Sequence, residues 1–236
     1  MANLEIPRTP RTTLKRYPHL AVYDRAMVHA ILDDGYMCTV AFIHEGSPRA
    51  LPTGYGRIDD FIYIHGSNAS TMLAAVLGSP EVCISVAHID GLVLGRSLFA
   101  HTPNFRSVVI YGRAERVTDL DEKRASFQAY AEGFLPSRFA EVRPPSEKEL
   151  NGVTVLRVPL QEAVAKVRSG SVFDSNDDLE RDCWSGVMLI KQTVSELIRD
   201  PKCRSDISPP PYIKDFQRLP SKGNLVPAVP ALRQPT

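Results

Sequence analysis

The sequence predicts a mainly β fold, an antiparallel barrel with α-helices inserted between its strands. Short apolar runs alternate with clusters of turn residues along most of the chain, as in strands joined by hairpins. Helical segments stand singly among these runs, without the strand–helix–strand alternation that a parallel sheet requires. With 236 residues, 43% of them hydrophobic and 23% charged, the chain has an ordinary globular composition and can bury a core.

The first half of the barrel is predicted to begin with a short helix at 24–33, capped by Tyr23 or Asp24 and stopped by Gly35. Three strands separated by turns at 44–48 and 57–60 are expected to follow, at 37–43, 49–55 and 61–65. A helix is predicted over 68–77, because serine and threonine residues precede an apolar face and Pro80 ends the segment.

In the second half, the Asp90-Gly91 pair lies between apolar runs at 82–88 and 92–94, which predicts a hairpin. A long strand is expected over 105–117, with Gly112 marking a bend or bulge. The remaining predicted elements are helices at 119–132 and 147–151 and strands at 153–158 and 163–168.

Three regions are predicted along the chain. Residues 1–20 are polar and basic with three prolines, which indicates an N-terminal arm. Residues 21–188 should form the barrel domain. Residues 189–236 should be an extended or disordered extension, since eight of the 19 prolines fall within the last 36 residues.

Several functional classes are disfavoured by composition and spacing. A net charge of +1 gives no support to a nucleic-acid or membrane-surface partner. The sequence contains no run of about 18 apolar residues, so no transmembrane helix is expected. The six histidines show no metal-ligand spacing, so no metal site is expected. The four cysteines are far apart and form no C-x-x-C pair, which favours a reducing, cytoplasmic compartment.

Three segments could carry chemistry. The strand that runs into Gly66 and then Ser67–Thr71 offers backbone N–H groups and hydroxyls at a helix start, which suits a phosphate, although an ordinary capped helix has the same composition. Two Arg-Ser pairs, at 96–97 and 106–107, could bind oxygen atoms or be solvated. An acidic stretch precedes Trp184, which could stack on a ligand but more commonly packs.

Several of these stretches together resemble the proteins related to pyridoxamine 5'-phosphate oxidase, and in particular the flavin-nucleotide-binding subgroup that includes nitroimidazole-resistance reductases. The similar stretches occur in order across residues 8–188: Arg11–Arg16, Leu51-Pro52, Arg57–Ser67, Asp90–Ser97, Asn104–Val109 with Gly112, Lys166–Arg168 and Trp184–Val187. The resemblance implies a six-stranded split barrel and a homodimer that builds two FMN sites at its interface, with the long strand and the arm contributing to that interface.

The resemblance also implies which residues bind the flavin. The backbone of Leu51, Pro52 and Thr53 would run beside the isoalloxazine, with Ile64 and His65 beneath the ring. Ser67, Ser70 and Thr71 would hold the phosphate, and Arg106 and Ser107 would reach the flavin from one of the two subunits. No catalytic side chain is implied, because the flavin itself carries the chemistry.

Two positions depart from the family pattern. Thr71 stands where a basic residue is usual, which removes a charge-assisted hydrogen bond of roughly 1.5–3 kcal/mol, and Arg96, Arg49 or Lys15 could replace it. The segment 100–103 has one histidine and a proline where relatives more often carry two histidines, which affects the substrate side of the pocket.

The function that follows from the resemblance is that of an FMN-dependent oxidoreductase acting on an unidentified small molecule. An alternative is a haem-binding or haem-degrading protein, for which His65 or His101 would be the axial ligand. A third is a small-molecule binder that has kept the barrel without catalysis.

Overall fold

The computed structural model describes residues 4–214 and residue 216. The strands in this part of the chain are β1 (Ala21–Val22), β2 (Met37–His44), β3 (Ser47–Gly54), β4 (Gly56–Ile58), β5 (Phe61–Ser67), β6 (Val82–Leu94), β7 (Thr102–Gly112), β8 (Glu115–Val117), β9 (Val153–Pro159), β10 (Ala163–Arg168) and β11 (Gly186–Leu189). The α-helices are α1 (Arg25–Asp33), α2 (Thr71–Gly78), α3 (Leu120–Phe134), α4 (Arg138–Glu141), α5 (Glu147–Asn151) and α6 (Pro211–Lys214).

These strands form two antiparallel sheets, which confirms the predicted antiparallel fold with inserted helices. The large sheet has the order β1-β10-β7-β6-β2-β3, with β11 added beside the second half of β6. The small sheet has the order β4-β5-β9-β8. The chain passes from the large sheet to the small sheet after β3 and after β7, and it returns after β5 and after β9, as expected for a barrel that is divided into two parts.

The core lies between the two sheets and is closed by α1 and α2. Alternate residues of β2, β6 and β7 point into it, together with Ile62 and Ile64 of β5 and the buried faces of both helices. Asp24 caps α1 by accepting a hydrogen bond from the Met27 N–H at 2.8 Å, as predicted. A second, smaller apolar cluster lies under α3 and contains Tyr63, Val117 and Val155.

The predicted hairpin at Asp90-Gly91 is wrong, because β6 runs without a turn from Val82 to Leu94. Its pairing with β7 changes register between Ile89 and Gly91, so the Asp-Gly pair forms a β-bulge. Glycine is required there, since a Cβ at Gly91 would lie 2.9 Å from the Met188 carbonyl of β11.

Other boundaries also differ. The predicted strand 105–117 is divided after Gly112, where the chain leaves the large sheet and continues as β8 in the small one. The predicted turn at 57–60 is shorter, since residues 56–58 form β4. The acidic stretch and Trp184 are followed by a strand, β11, which was not predicted from the sequence.

The helix predicted over 68–77 begins three residues later, at Thr71, with Ser70 as its N-cap. Asn68 cannot join the helix, because its side chain is fixed outside it. Its Nδ2 donates to the Asn151 carbonyl at 2.7 Å, and its Oδ1 accepts from the Thr154 hydroxyl at 2.9 Å.

The two terminal segments are described only in part. The arm packs on its own chain, where Arg11 forms ion pairs with Glu81 and Glu162 and stacks on Tyr111 at 4.6 Å. Residues 190–210 are without regular helix or strand, and the predictions made for 217–236 lie outside the described residues. Within the described residues, no helix combines the length and the apolar character needed to cross a membrane.

Candidate functional site

The residues that the resemblance implicates, apart from Arg106 and Ser107, lie near one edge of the molecule. Strand β3 borders the large sheet and pairs only with β2 among the described residues, and it contacts β5 of the small sheet. Residues 64–67 of β5 extend beyond its partner β4. We call the gap between β3 and this end of β5 the split.

On the β3 side of the split, Leu51 and Pro52 are exposed and Thr53 is half-buried. Pro48 and Pro52 carry no N–H, and prolines of this kind are typical of an edge strand that does not pair with another strand. The remaining outward backbone groups of β3 are therefore available to a bound molecule.

On the β5 side, Ile64 and His65 point in opposite directions. The Ile64 side chain is fully buried in the core, so only its backbone can face the split. The His65 ring points away from the core and lies between Phe127 and Tyr130 of α3, with centroid distances of 4.5 and 4.7 Å. Burial lowers the pKa of His65, which favours the neutral imidazole.

Helix α3 covers the split with a row of aromatic side chains that the sequence analysis did not connect with the site. The Tyr130 and Phe134 rings lie 4.6 Å apart, and Tyr36 contacts Phe134 at 5.6 Å. The signal was present in the spacing, because positions 127, 130 and 134 lie on one face of a helix.

Three hydroxyl side chains lie at the start of α2, beside the end of β5. Ser67 Oγ accepts a hydrogen bond from the Ala69 N–H at 3.2 Å, and Ser70 Oγ accepts one from the Leu73 N–H at 3.3 Å. Thr71 is exposed. Within the described chain, no basic side chain forms a hydrogen bond with any of the three. The positive charge available to an anion there is that of the helix N-terminus.

Arg106 and Ser107 lie on opposite faces of β7 and away from the split. The Arg106 side chain is 3% exposed and points inward, where it pairs with Asp90 at 2.8 Å and Asp34 at 2.7 Å. These carboxylates raise the pKa of Arg106 against the opposing effect of burial. The guanidinium is therefore held by two acids, and the expectation that it reaches a flavin directly is not supported by this geometry.

One chain does not bring Ser107 to the split. Strands β6 and β2 separate β7 from β3, and strands are spaced about 4.8 Å apart, so the separation is about 14 Å. Ser107 can contribute to a site at the split only from another copy of the chain.

The three basic residues considered as replacements for a cation near Thr71 differ in availability. Arg96 is already bound to Asp174. Its Nη1 donates to Asp174 Oδ2 at 2.9 Å, and its backbone N–H donates to Oδ1 of the same carboxylate at 2.8 Å. Arg49 and Lys15 are exposed. The Asp174 side chain is itself only 1% exposed, so this contact fixes the loop that follows Gly95.

That loop presents His101. Its Nδ1 lies 2.8 Å from the Ser97 carbonyl, and because a carbonyl only accepts, Nδ1 is the donor of this hydrogen bond. The His101 ring is exposed, and Phe99, two residues earlier, is fully exposed. An imidazole with this hydrogen bond has the arrangement that metal-ligating histidines usually show.

A separate pocket of about 300 Å³ lies between α1, β4 and α3. Its charged groups are already paired, since Arg57 donates to both carboxylate oxygens of Asp33 and Glu132 accepts the Ser137 N–H. We therefore do not assign the functional site to this pocket.

Comparison with known proteins points to one family. A family profile described as pyridoxamine 5'-phosphate oxidase matches residues 24–167. The flavocytochrome Anf3 from Azotobacter vinelandii is 34% identical in sequence and superposes with a TM-score of 0.81, covering 89% of this chain and 97% of Anf3. No curated protein sequence matches the chain.

Two further solved structures are similar. The FAD and haem binding protein from Mycobacterium smegmatis is 28% identical, with a TM-score of 0.80, covering 86% of this chain and 99% of that protein. A 5-nitroimidazole antibiotic resistance protein from Bacteroides thetaiotaomicron shares the fold at 21% identity and a TM-score of 0.53, covering 62% and 86%.

Proposed function

Because the chain belongs to the pyridoxamine 5'-phosphate oxidase family, we propose that it is a flavin-dependent oxidoreductase that binds its flavin at the split. The observation that carries this proposal is the similarity to two proteins over nearly their whole lengths, one a flavocytochrome and the other an FAD and haem binding protein. We place the cofactor-binding domain at 21–188, with an arm at 1–20 and an extension at 189–236.

The residues at the split fit a flavin. The edge of β3 offers backbone groups in a line, which suits the hydrogen-bonding edge of an isoalloxazine, and the hydroxyls of Ser67, Ser70 and Thr71 suit a phosphate at the start of α2. The aromatic row of α3 would exclude water from one side of this site. When bound, a flavin supplies hydride and single-electron transfer.

The start of α2 favours FAD over FMN. FMN ends in a phosphate monoester with a charge of about −1.5 to −2 at neutral pH, whereas each phosphate of a diphosphate bridge carries a single charge. A helix N-terminus contributes roughly half a positive charge, and Thr71 supplies none. The start of α2 therefore suits the single charge on each phosphate of a dinucleotide better than the larger charge of the FMN phosphate monoester.

The proposed flavoprotein is a homodimer. The resemblance assigns Ser107 and the β3 residues Leu51–Thr53 to a single flavin, but β6 and β2 lie between them within one chain, so they can join only across a subunit interface. A two-fold assembly is the simplest arrangement that completes both sites at once.

Haem is a second candidate cofactor, and the names of the two similar proteins favour it. Its axial ligand would be His65 or His101. His65 is sheltered by Phe127 and Tyr130, and its lowered pKa keeps the imidazole neutral, whereas His101 has its Nδ1 proton fixed by Ser97. Bound haem supplies single-electron and oxygen chemistry.

Absorption spectroscopy of the purified protein tests both cofactors. We expect flavin bands to stay with the protein, at one equivalent per chain, after addition of FAD and removal of the unbound FAD, and a Soret band after addition of haemin that shifts in His65→Ala or His101→Ala. Light scattering on the same samples should report a dimer. If neither FAD nor FMN shows saturable binding to the purified protein, the proposed function is wrong, whatever the fold.

A further inference from the structure

The outward face of the large sheet carries two basic side chains close together. Lys166 and Arg168 are alternate residues of β10, so they leave the strand on the same side, about 7 Å apart. Their neighbours on β7 are Ser107 and Phe105. We call these four residues the basic shelf.

Neither cation of the basic shelf has a carboxylate partner in the part of the chain that the structure describes. The half-buried Arg25, Arg57 and Arg96 are each paired with an aspartate. Lys166 instead lies over the Phe105 ring at 5.8 Å. Arg168 donates through Nη1 to Asn104 Oδ1, and burial lowers its pKa without any opposing acid.

Two half-buried positive charges without a counter-ion destabilise a folded chain, because each has lost part of its hydration. Such an arrangement is explained when an anion completes it. The Asn104 amide holds Arg168 in place and also binds both backbone groups of Gly170, at 2.9 and 3.1 Å. The site is therefore built in advance of any ligand.

The surroundings of the basic shelf leave room for an elongated ligand. Ala87, the partner of Ser107 on the other side, is small and exposed. Ile89, which pairs with Phe105, is 57% exposed and offers an apolar surface beside the charges. A charged group flanked by a flat apolar moiety matches this combination.

We propose that the basic shelf binds the diphosphate group of a dinucleotide. Two cations on alternate residues of one strand suit two adjacent phosphates, the guanidinium can contact two oxygens at once, and Ser107 adds a hydroxyl. The inference rests on the proposed function for the identity of the dinucleotide, which is either the FAD itself or the nicotinamide dinucleotide that reduces it.

The test uses Lys166→Gln, Arg168→Gln and the double variant of the full-length protein, with Arg113→Gln as a control that removes an exposed charge elsewhere. Calorimetric titrations are made with pyrophosphate, FAD, NADPH and riboflavin, which has no phosphate. We expect each single change to weaken pyrophosphate binding about tenfold, and the double change about a hundredfold, with Arg113→Gln unchanged. Riboflavin binding should be equal in all variants.

The outcomes separate this inference from the proposed function. Weaker FAD binding in the double variant identifies the flavin as the ligand, and weaker NADPH binding alone identifies the reductant. If all four ligands bind the double variant as they bind the wild type, the basic shelf is not a phosphate site, although a flavoprotein remains. If pyrophosphate depends on the shelf while FAD and riboflavin do not bind, the shelf stands and the flavin proposal fails.

Discussion

The rings of His65 and Tyr130 meet almost at right angles, at 88°, with their centroids 4.7 Å apart. The same tyrosine lies directly on the backbone of Gly54, where a Cβ would come within 2.7 Å of its ring. One side chain of α3 therefore contacts the end of β3 and the end of β5, and it holds the two borders of the split in a fixed relation.

Removing this ring should expose His65. In Tyr130→Ala, we expect the pKa of His65 to rise toward its ordinary value, because the lowered pKa has burial as its cause. The measurement is an NMR titration of the imidazole resonances. Tyr130→Phe keeps the ring and should leave the pKa unchanged, so an equal rise in both variants would contradict the assignment to burial.

Acidification should destabilise the fold through two histidines. Burial lowers the pKa of both His65 and His88 below the usual 6.5, so the folded state prefers their neutral forms. Their stabilisation is present above that value and is lost as the pH falls below it toward the lowered values. Urea unfolding between pH 7.5 and 5 should show this decline, with a shallower slope in His65→Gln than in the wild type.

The start of α2 can be tested without disturbing the helix. Aspartate is as good an N-cap as serine, so Ser70→Asp keeps the cap while adding a negative charge. We expect it to weaken FAD and FMN binding at unchanged thermal stability. Thr71→Arg should tighten FMN binding about tenfold, through a contact of ~1.5 kcal/mol, and FAD less. Equal affinities in flavin fluorescence titrations of all three proteins would overturn the phosphate assignment.

The ion pairs of Arg106 should be essential to the fold. Arg106→Met deprives Asp34 and Asp90 of their common cation, and breaking a buried pair from one side costs about 3–5 kcal/mol. Urea denaturation measures the loss. Arg124→Ala, which breaks an exposed pair with Asp121, should cost no more than about 0.5 kcal/mol, and similar losses in both would show that burial does not decide the effect.

Much of the fold follows from local sequence, because the apolar–polar alternation of strands and the N-caps of helices each involve only a few neighbouring residues. Asp24, one of the two candidates, caps the helix predicted at 24–33, and Asp119 caps the helix predicted over 119–132. The bulge at Asp90-Gly91 could not be foreseen in this way. The bulge depends on Arg106 and β11, which come later in the chain. An Asp-Gly pair between apolar runs is also the usual sequence of a hairpin turn, so the local sequence does not distinguish the two structures.

The site was predictable only in part, for a similar reason. The hydroxyl cluster at Ser67–Thr71 is continuous in sequence and could be found, whereas the contact of Tyr130 with His65 joins elements that are 65 residues apart. The inward direction of Arg106 depends on two aspartates from other elements. Motif resemblance alone assigned that arginine to a ligand.

The single tryptophan reports on β11. A Cβ at Gly186 would lie 2.7 Å from the indole of Trp184, which packs over this glycine and is 67% exposed. Gly186→Ala should displace the ring into water and shift its fluorescence emission to longer wavelength. Gly170→Ala, where a Cβ would meet no atom within 4 Å, should leave the emission unchanged, and a shift in both variants would contradict this packing.

The two strands between Ser107 and the split have a consequence for measurements at low concentration. In the proposed dimer each cofactor is shared by two chains, so association of the chains and occupancy of the site are linked by mass action. Diluting the protein should release cofactor, and added cofactor should hold dilute chains together. A dissociation constant for this protein then has meaning only together with the protein concentration at which it was measured.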